Sequence, residues 1–546
     1  MKGLLRSFPF LFLFFILVLQ ANSDVPNIDY DWTVSFSYRA PFGLEKLVIV
    51  INDQFPGPLV NATTNDVVSI NVHNNLDEPL LMTWNGVQLR RNSWQDGVKG
   101  TNCPIMPGKN WTYIFQVKDQ IGSFFYFPSI LFHKAAGGYG PIRLNNQVNV
   151  PIPFPQPDYE YDVLIGDWYD ANHKELRIAL ETGDRLPYPD GILINGLPPE
   201  RAVFDFKSGG TYRLRISNVG LKTTLNLRIQ NHKMMLVETE GSYTLKKYYD
   251  NLDVHVGQSY SVLVRALDNA KSSCFYMVAA SRFIPNQQFG LGIVRYNKYE
   301  GEPLLPIFPG PKNYDFKYSL EQAQSMRMDL TVGAARPNPQ GSFHYGSIPI
   351  SKTIVLENGL AVIQGKFKYT INGRSFFHPE TPLKLADYFH LPGVFEPVGT
   401  FPDQPPSPDS RSRFSVSVID VNYHDFLHVV FQNPLSSIQS WHVDGHSFFV
   451  VGYGIGIWEK SKMDSYNMVD AVYRSTVQVY PKSWTAIMIK LDNLGIWNLR
   501  SQDAERLYLG QELYLRVKLD GIDPSKISPR DEEPIPPNVI KCGKAM

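Results

Sequence analysis

The chain has 546 residues, more than one hydrophobic core supports, so several domains are expected. Its 52 Lys and Arg balance 52 Asp and Glu; that leaves no electrostatic footprint for nucleic acid and no polybasic membrane patch. With 33 Phe, 29 Tyr, 41 Pro and 40 Gly, the composition favours short strands joined by turns over long helices.

The first element has the form of a leader. Lys2 and Arg6 precede an apolar run from Phe8 to Leu19, and Ala21-Asn22-Ser23 is a small-x-small cleavage signal. Residues 1–23 are therefore expected to be a signal peptide, with Asp24 the mature start. The run is too short for a good membrane span, and the end of the chain, Asn538 to Met546, has no apolar tail for a GPI anchor. Secretion fits the remaining signals. Asn61-Ala62-Thr63 and Asn110-Trp111-Thr112 are glycosylation acceptors. Cys103, Cys274 and Cys542 suggest one disulfide and one spare thiol, with the pairing open.

Two kinds of unit recur three times in the same order. The first kind spans Asp66–Gly86, Gly210–His232 and Tyr423–His446; each opens with a strand and reaches an asparagine (Asn74, Asn218, Asn433) before a turn. The second kind spans Pro107–Phe127, Val256–Met277 and Tyr480–Leu499. Alternation is clean: Tyr212, Leu214 and Ile216 face one way and Arg213 and Arg215 the other, which predicts half-buried antiparallel strands. The fold class is therefore all-β, three copies of one β-sandwich. Proline-rich joints at Pro151–Pro157 and Pro303–Pro311 divide the chain into 24–150, 151–310 and 311–546, the last with a C-terminal tail. Phe401–Ser412 is expected to be an exposed loop inside the third copy. Gly452, Gly454 and Gly456 lack the strand-turn-helix context of a nucleotide loop and suit a glycine-rich strand or bulge.

No P-loop, nucleophile elbow or well-placed acidic pair is present. Two imidazoles on one strand face need His-x-His spacing, and none of the 12 histidines offers it. The pairs His442/His446 and His424/His428 are four apart, about 13 Å on a straight strand. They are expected to be hydrogen-bonded or surface histidines. Only a sharp turn at Gly445 brings the first pair together.

Several strings carry a resemblance: Trp84-Asn85-Gly86, Trp94-Gln95-Asp96-Gly97, Cys103-Pro104-Ile105-Met106-Pro107-Gly108, Gly122-Ser123-Phe124-Phe125-Tyr126, Ala136-Gly137-Gly138-Tyr139-Gly140 and Gly166-Asp167-Trp168-Tyr169. They resemble the multicopper oxidases, ascorbate oxidase in particular, over essentially the whole mature chain. The nearest likeness is a plant subfamily of ascorbate-oxidase homologues found in pollen and in cell walls. That resemblance implies three cupredoxin-like Greek-key domains. Active members hold a blue copper in the third domain and a trinuclear cluster between the first and third.

The ligand positions have changed. His-Trp-His-Gly of active members corresponds to Thr83-Trp84-Asn85-Gly86, and Tyr-His-x-His to Tyr126-Phe127-Pro128-Ser129. His-Pro-x-His-x-His-Gly-His corresponds to Gln439 through His446, so His442 is the retained ligand-position histidine, Asp444 replaces another, and His446 matches a non-ligand position. His-Cys-His-x3-His corresponds to Arg500-Ser501-Gln502 through Arg506, with Gln511 at the axial position. Blue copper needs a soft thiolate and imidazoles, which Ser501 and Arg506 do not supply. The resemblance also implies a Cys103–Cys542 disulfide.

The expected function is therefore that of a secreted, cell-wall or apoplastic glycoprotein without oxidase activity, with a role in plant cell expansion or pollen-tube growth. No cofactor is expected beyond residual metal binding at His442, with Asp444 and His446 as further donors. A cell-wall polymer, apoplastic small molecule or protein is the expected partner, without nucleic acid. Trp84, Trp441, Trp497 and Tyr126 either pack the core or line a binding cleft. The alternative is a copper oxidase of ascorbate or phenolic type using residual ligands.

Overall fold

The structure, a computed structural model, describes residues 27–270, 273–303, 309–331, 347–397, 399–407 and 409–546. The expected signal peptide lies outside the described residues. Six sheets form three two-sheet units in chain order: four and four strands, then six and five, then eight and five. The two recurring sequence units are hydrogen-bonded neighbours in every sandwich. Val67–Asn74 pairs antiparallel with Asn110–Gln116, Thr211–Asn218 with Ser259–Arg265, and Phe426–Asn433 with Ser483–Lys490.

The antiparallel expectation needs one correction. On its other side, the first strand of each of these pairs has a parallel neighbour: Asn27–Arg39, Tyr159–Trp168 and Lys352–Ile363 respectively. Each opposing sheet carries a second parallel pair, such as Val418–Asn422 with Glu512–Lys518. Mixed pairing of this kind comes from chain crossing between the two sheets of a sandwich, which local alternation does not report.

The repeated asparagines explain why the first unit recurs. Asn74, Asn218 and Asn433 are each fully buried at a strand end. Each side-chain oxygen accepts from the backbone N–H two residues on, at 3.0, 3.0 and 3.1 Å. Each amide nitrogen donates to carbonyls across the turn: Glu78 and Ile105 for Asn74, Thr223 and Val254 for Asn218, and Ser437, Val479 and Tyr480 for Asn433. One side chain thus replaces the ladder bonds that a leaving strand gives up.

Apolar side chains follow. Val68, Ile70 and Val72 alternate inward, and one continuous apolar cluster joins the cores of the first and third units. The second unit has its own core. Half-burial fails for Thr211–Asn218: Arg213 and Arg215 are buried too, because the first unit covers that face. Arg215 donates to Gly122 O and Ser123 Oγ and pairs with Glu160 at 2.8 Å, while Arg213 pairs with Glu238 at 2.7 Å. Phe401 also departs from the loop reading, since its ring enters the core cluster while Gln404, Ser407 and Asp409–Arg411 stay exposed.

Helices are few and short; the longest among the described residues is His173–Thr182. None is long and apolar enough to cross a membrane. Strand Phe448–Ile455 carries a bulge between Val450 and Gly452. Gly454 is required there by close approach: a β-carbon would stand 2.3 Å from the Trp484 ring. Cys103 and Cys542 are disulfide-bonded across 439 residues, and Cys274 is free and buried.

Candidate functional site

The altered ligand positions converge, but onto one another. His442 and Arg500 are cross-strand partners on Gln439–Val443 and Gly495–Ser501, and Thr83 faces Phe127 in the first unit. His442 Nε2 lies 3.0 Å from Asp444 Oδ1, and its Nδ1 lies 2.7 Å from Thr476 Oγ1. The Arg500 guanidinium donates to Asp444 Oδ2 and to Asn498 Oδ1. Burial alone raises the Asp444 pKa, but the Arg500 charge and the His442 hydrogen bond outweigh it and hold the carboxyl below its usual range. Asp96 behaves oppositely. Burial, and then the Asp444 charge beside it, push its pKa well up. Burial also lowers the His442 pKa, against the opposing hydrogen bond to Asp444.

The other positions are similarly occupied. Gln502 Nε2 donates to Asn85 Oδ1 at 2.6 Å, and Asn85 Nδ2 donates to Gly257 O. Ser129 Oγ donates to Gly97 O at 2.6 Å. Thr83 Oγ1 is buried without a hydrogen-bond partner. Phe127 stacks on Phe125, with the Lys134 ammonium 4.5 Å from its ring centre. Burial brings the Lys134 pKa down to about 7, with Asp167 opposing and Arg500 adding to the shift. At the former blue-copper position, Arg506 bonds Ser437 Oγ at 2.8 Å, pairs with Asp503 at 3.3 Å and lies over the Tyr369 ring. Gln439 donates to Asn433 Oδ1, Gln511 donates to Asn358 Oδ1, and Ser501 Oγ accepts from the Asp503 N–H.

This donor set does not fit a blue or a trinuclear copper centre. Copper in such sites takes imidazole and thiolate, and here hydroxyls, amides, a phenyl ring and two guanidinium groups stand in those places. The one retained imidazole and the one carboxylate already serve each other and Arg500.

The same residues join the three units. Glu240 of the second unit pairs with Arg474 at 2.9 Å and accepts from the N–H groups of Ser475 and Thr476. Thr476 then meets His442. Asn85, Gly257 and Gln502 come from the first, second and third units respectively. Ser440 Oγ donates to Val256 O at 2.7 Å. Lys222 of the second unit pairs with buried Glu505 of the third.

Of the two readings of the aromatic residues, core packing is the one that holds. Trp84, Trp441, Trp497 and Tyr126 are at most 2% exposed and belong to the core cluster. Trp84, Trp497 and Tyr126 spend their polar atoms on the carbonyls of Gln95, Asn493 and Pro58. Open space among the described residues includes a polar cleft of about 180 Å³ where the three units meet, lined by Gln88, Gln120, Asn146, Glu240, Ser447 and Tyr473 among others.

The grouping of His442, Asp444 and His446 is corrected as well. Gly445 does turn sharply (φ +70°), yet His446 points to the Trp497 ring edge and the neighbourhood of Arg90 and Asp492. Among the described residues, the group of three whose ligand atoms lie close enough for one ion is Glu78, His133 and His173, within 4.8 Å of one another. Sequence spacing gave no signal for it, because its members are 55 and 40 residues apart. His428 is a buried hydrogen-bonded histidine, between Thr353 Oγ1 and the Tyr466 hydroxyl, and His424 is exposed. Asn61 and Asn110 are both exposed.

Comparison with known proteins agrees with the architecture. Three family models, each described as multicopper oxidase, match residues 34–149, 160–299 and 380–520. An L-ascorbate oxidase homolog of Brassica napus is 46% identical, covering 100% of this chain and 97% of the relative. Monocopper oxidase-like protein SKS1 of Arabidopsis thaliana is 48% identical over 98% of this chain and 92% of its own length. The crystal structure of Fet3p, a multicopper oxidase of iron import, superposes with a TM-score of 0.78 over 92% of this chain and 93% of that one; at 20% identity it speaks for the fold alone. With three matched domains and full-length relatives close to half identical, the chain belongs to the multicopper oxidase family.

Proposed function

We propose that this chain is a secreted, non-catalytic member of its family, acting in the extracellular matrix or cell wall in plant cell expansion or pollen-tube growth. The observation that carries the reading is the Asp444 carboxylate, shared between His442 and Arg500 inside a buried network that spans all three units. A guanidinium at that position supplies the positive charge a metal otherwise brings, and it cannot exchange electrons. The residues at the old ligand positions act as staples between domains. The leader and the exposed acceptors Asn61 and Asn110 support a glycosylated extracellular protein. Relatives named as ascorbate oxidase homologs and monocopper oxidase-like proteins support the plant setting. The polar cleft between the units is the place for a wall polymer, an apoplastic small molecule or a protein segment, because the former copper positions are closed.

The test is copper reconstitution of the purified secreted chain. The reading expects no blue thiolate absorption and no oxygen uptake with ascorbate or phenols. A blue band with substrate-dependent oxygen consumption would overturn it in favour of an oxidase using other ligands.

A further inference from the structure

Glu78, His133 and His173 meet at the seam between the first and second units, and none of the three occupies a former copper-ligand position. His133 lies on the 3-10 turn His133–Ala136. His173 is the first residue of the helix His173–Thr182, fixed by an Asn172/Glu175 capping box. The Glu78 backbone is held by Asn74, whose amide donates to its carbonyl at 2.9 Å. Both imidazoles are fully buried, and the Glu78 side chain is 13% exposed.

His133 Nε2 and His173 Nε2 lie 3.3 and 3.0 Å from the same Glu78 Oε2. The other carboxylate oxygen is taken by Arg177 at 2.8 Å, which orients Oε2 toward the imidazoles. In a tetrahedral site with bonds of about 2.0–2.1 Å, ligand atoms stand roughly 3.3 Å apart. Two of the three edges therefore already have near-tetrahedral length. Without an ion, two ring N–H groups crowd onto a single oxygen, while both Nδ1 atoms are buried with no partner.

We propose that Glu78, His133 and His173 bind one divalent transition-metal ion of the zinc or copper(II) class, clamping the first two units together. Two imidazoles and one carboxylate are the donors these ions accept. Water completes the coordination on the partly exposed Glu78 side. Lys174 stands 3.8 Å from Oε2 but is engaged by Asp77 at 2.9 Å. On metal binding each imidazole carries its proton on Nδ1, where no protein acceptor waits. With that outer support missing and Arg177 and Lys174 nearby, affinity falls below that of closed structural zinc sites. The bound ion adds stability that grows with the logarithm of its free concentration over Kd.

The test uses the full secreted chain, stripped with a chelator and titrated separately with Zn²⁺ and Co²⁺. We expect one equivalent per chain, tetrahedral Co²⁺ visible bands and a rise in thermal midpoint. His173→Ala and the near-isosteric Glu78→Gln should each weaken binding at least tenfold, and His442→Ala should leave it intact; circular dichroism checks that each variant is folded. The proposal is overturned by absence of stoichiometric binding, by binding that survives both seam variants, or by binding lost in folded His442→Ala. It stands apart from the non-catalytic reading, which fails through oxygen uptake and not through zinc binding.

Discussion

Arg500 and Asp444 form an ion pair in which both partners are almost fully buried, at 2% and 3% exposure, with His442 on the other carboxylate oxygen. Two charges so deep in the molecule are favourable only together, since each alone carries a desolvation cost of several kcal/mol.

Removing one partner should therefore cost more than removing both. We expect Arg500→Met or Asp444→Leu alone to destabilise the chain by about 3–5 kcal/mol, and the double variant to recover at least half of that loss. Chemical denaturation of the four members of the cycle measures the coupling. Additive losses would contradict the pairing.

Asn433 should be the most sensitive polar residue outside that network. Its amide holds carbonyls of Ser437, Val479 and Tyr480 and accepts from Leu435. Asn433→Ala leaves several buried groups unpaired, a loss of roughly 3 kcal/mol. Asn433→Asp should be no better, because an oxygen then faces the carbonyls. Denaturation midpoints of both variants check this.

His428 should give the third unit an acid-sensitive step. Burial lowers its pKa to about 4, against about 6.5 in an unfolded chain. Between those values the unfolded chain binds the extra proton, so stability rises with pH and is lost as pH falls from about 6.5 toward 4. From pH 7 to pH 4.5 this one group accounts for about 2 kcal/mol. In His428→Gln the pH dependence should be shallower by that amount, read from denaturant unfolding at the two pH values.

The tail depends on its disulfide. Trp94 Nε1 reaches Glu533 O and Trp111 Nε1 reaches Asn538 O, so the last residues lie across the first unit, and Lys384 of the third unit pairs with Glu532. Cys103→Ser/Cys542→Ser should lower stability by about 2–5 kcal/mol. It should also expose cleavage at Lys526 or Arg530, seen as a mass loss under limited trypsin treatment, while the bonded chain keeps its end.

The sequence made some of this legible. Asn74, Asn218 and Asn433 announced three copies because a turn that needs the same amide three times keeps the same letter. Parallel pairing was not legible, because a strand's alternation reports which face is buried and not which neighbour lies beside it. Arg213 and Arg215 looked solvent-facing for the same reason: a strand does not record that another unit covers its outer side. Phe401 hid within a proline-rich polar run, where nothing in the local pattern marks a buried ring. Substitution at the copper positions was visible letter by letter. The partners that the new letters chose, Arg500 with Asp444 and Gln502 with Asn85, come from separate strands and needed coordinates. Glu78, His133 and His173 left no local pattern, since a loop, a 3-10 turn and a helix start far apart in sequence supply one donor each.

The bond between Cys103 and Cys542 has a mechanical side. A pull applied to the two ends of the chain enters at the first unit and leaves four residues from the last. Between them, force crosses directly from Cys542 to Cys103, so the 438 residues enclosed by the bond lie off the load path. The second unit and nearly all of the third are shielded from stretching. Under such a load the first unit alone bears tension, while the rest keeps its shape.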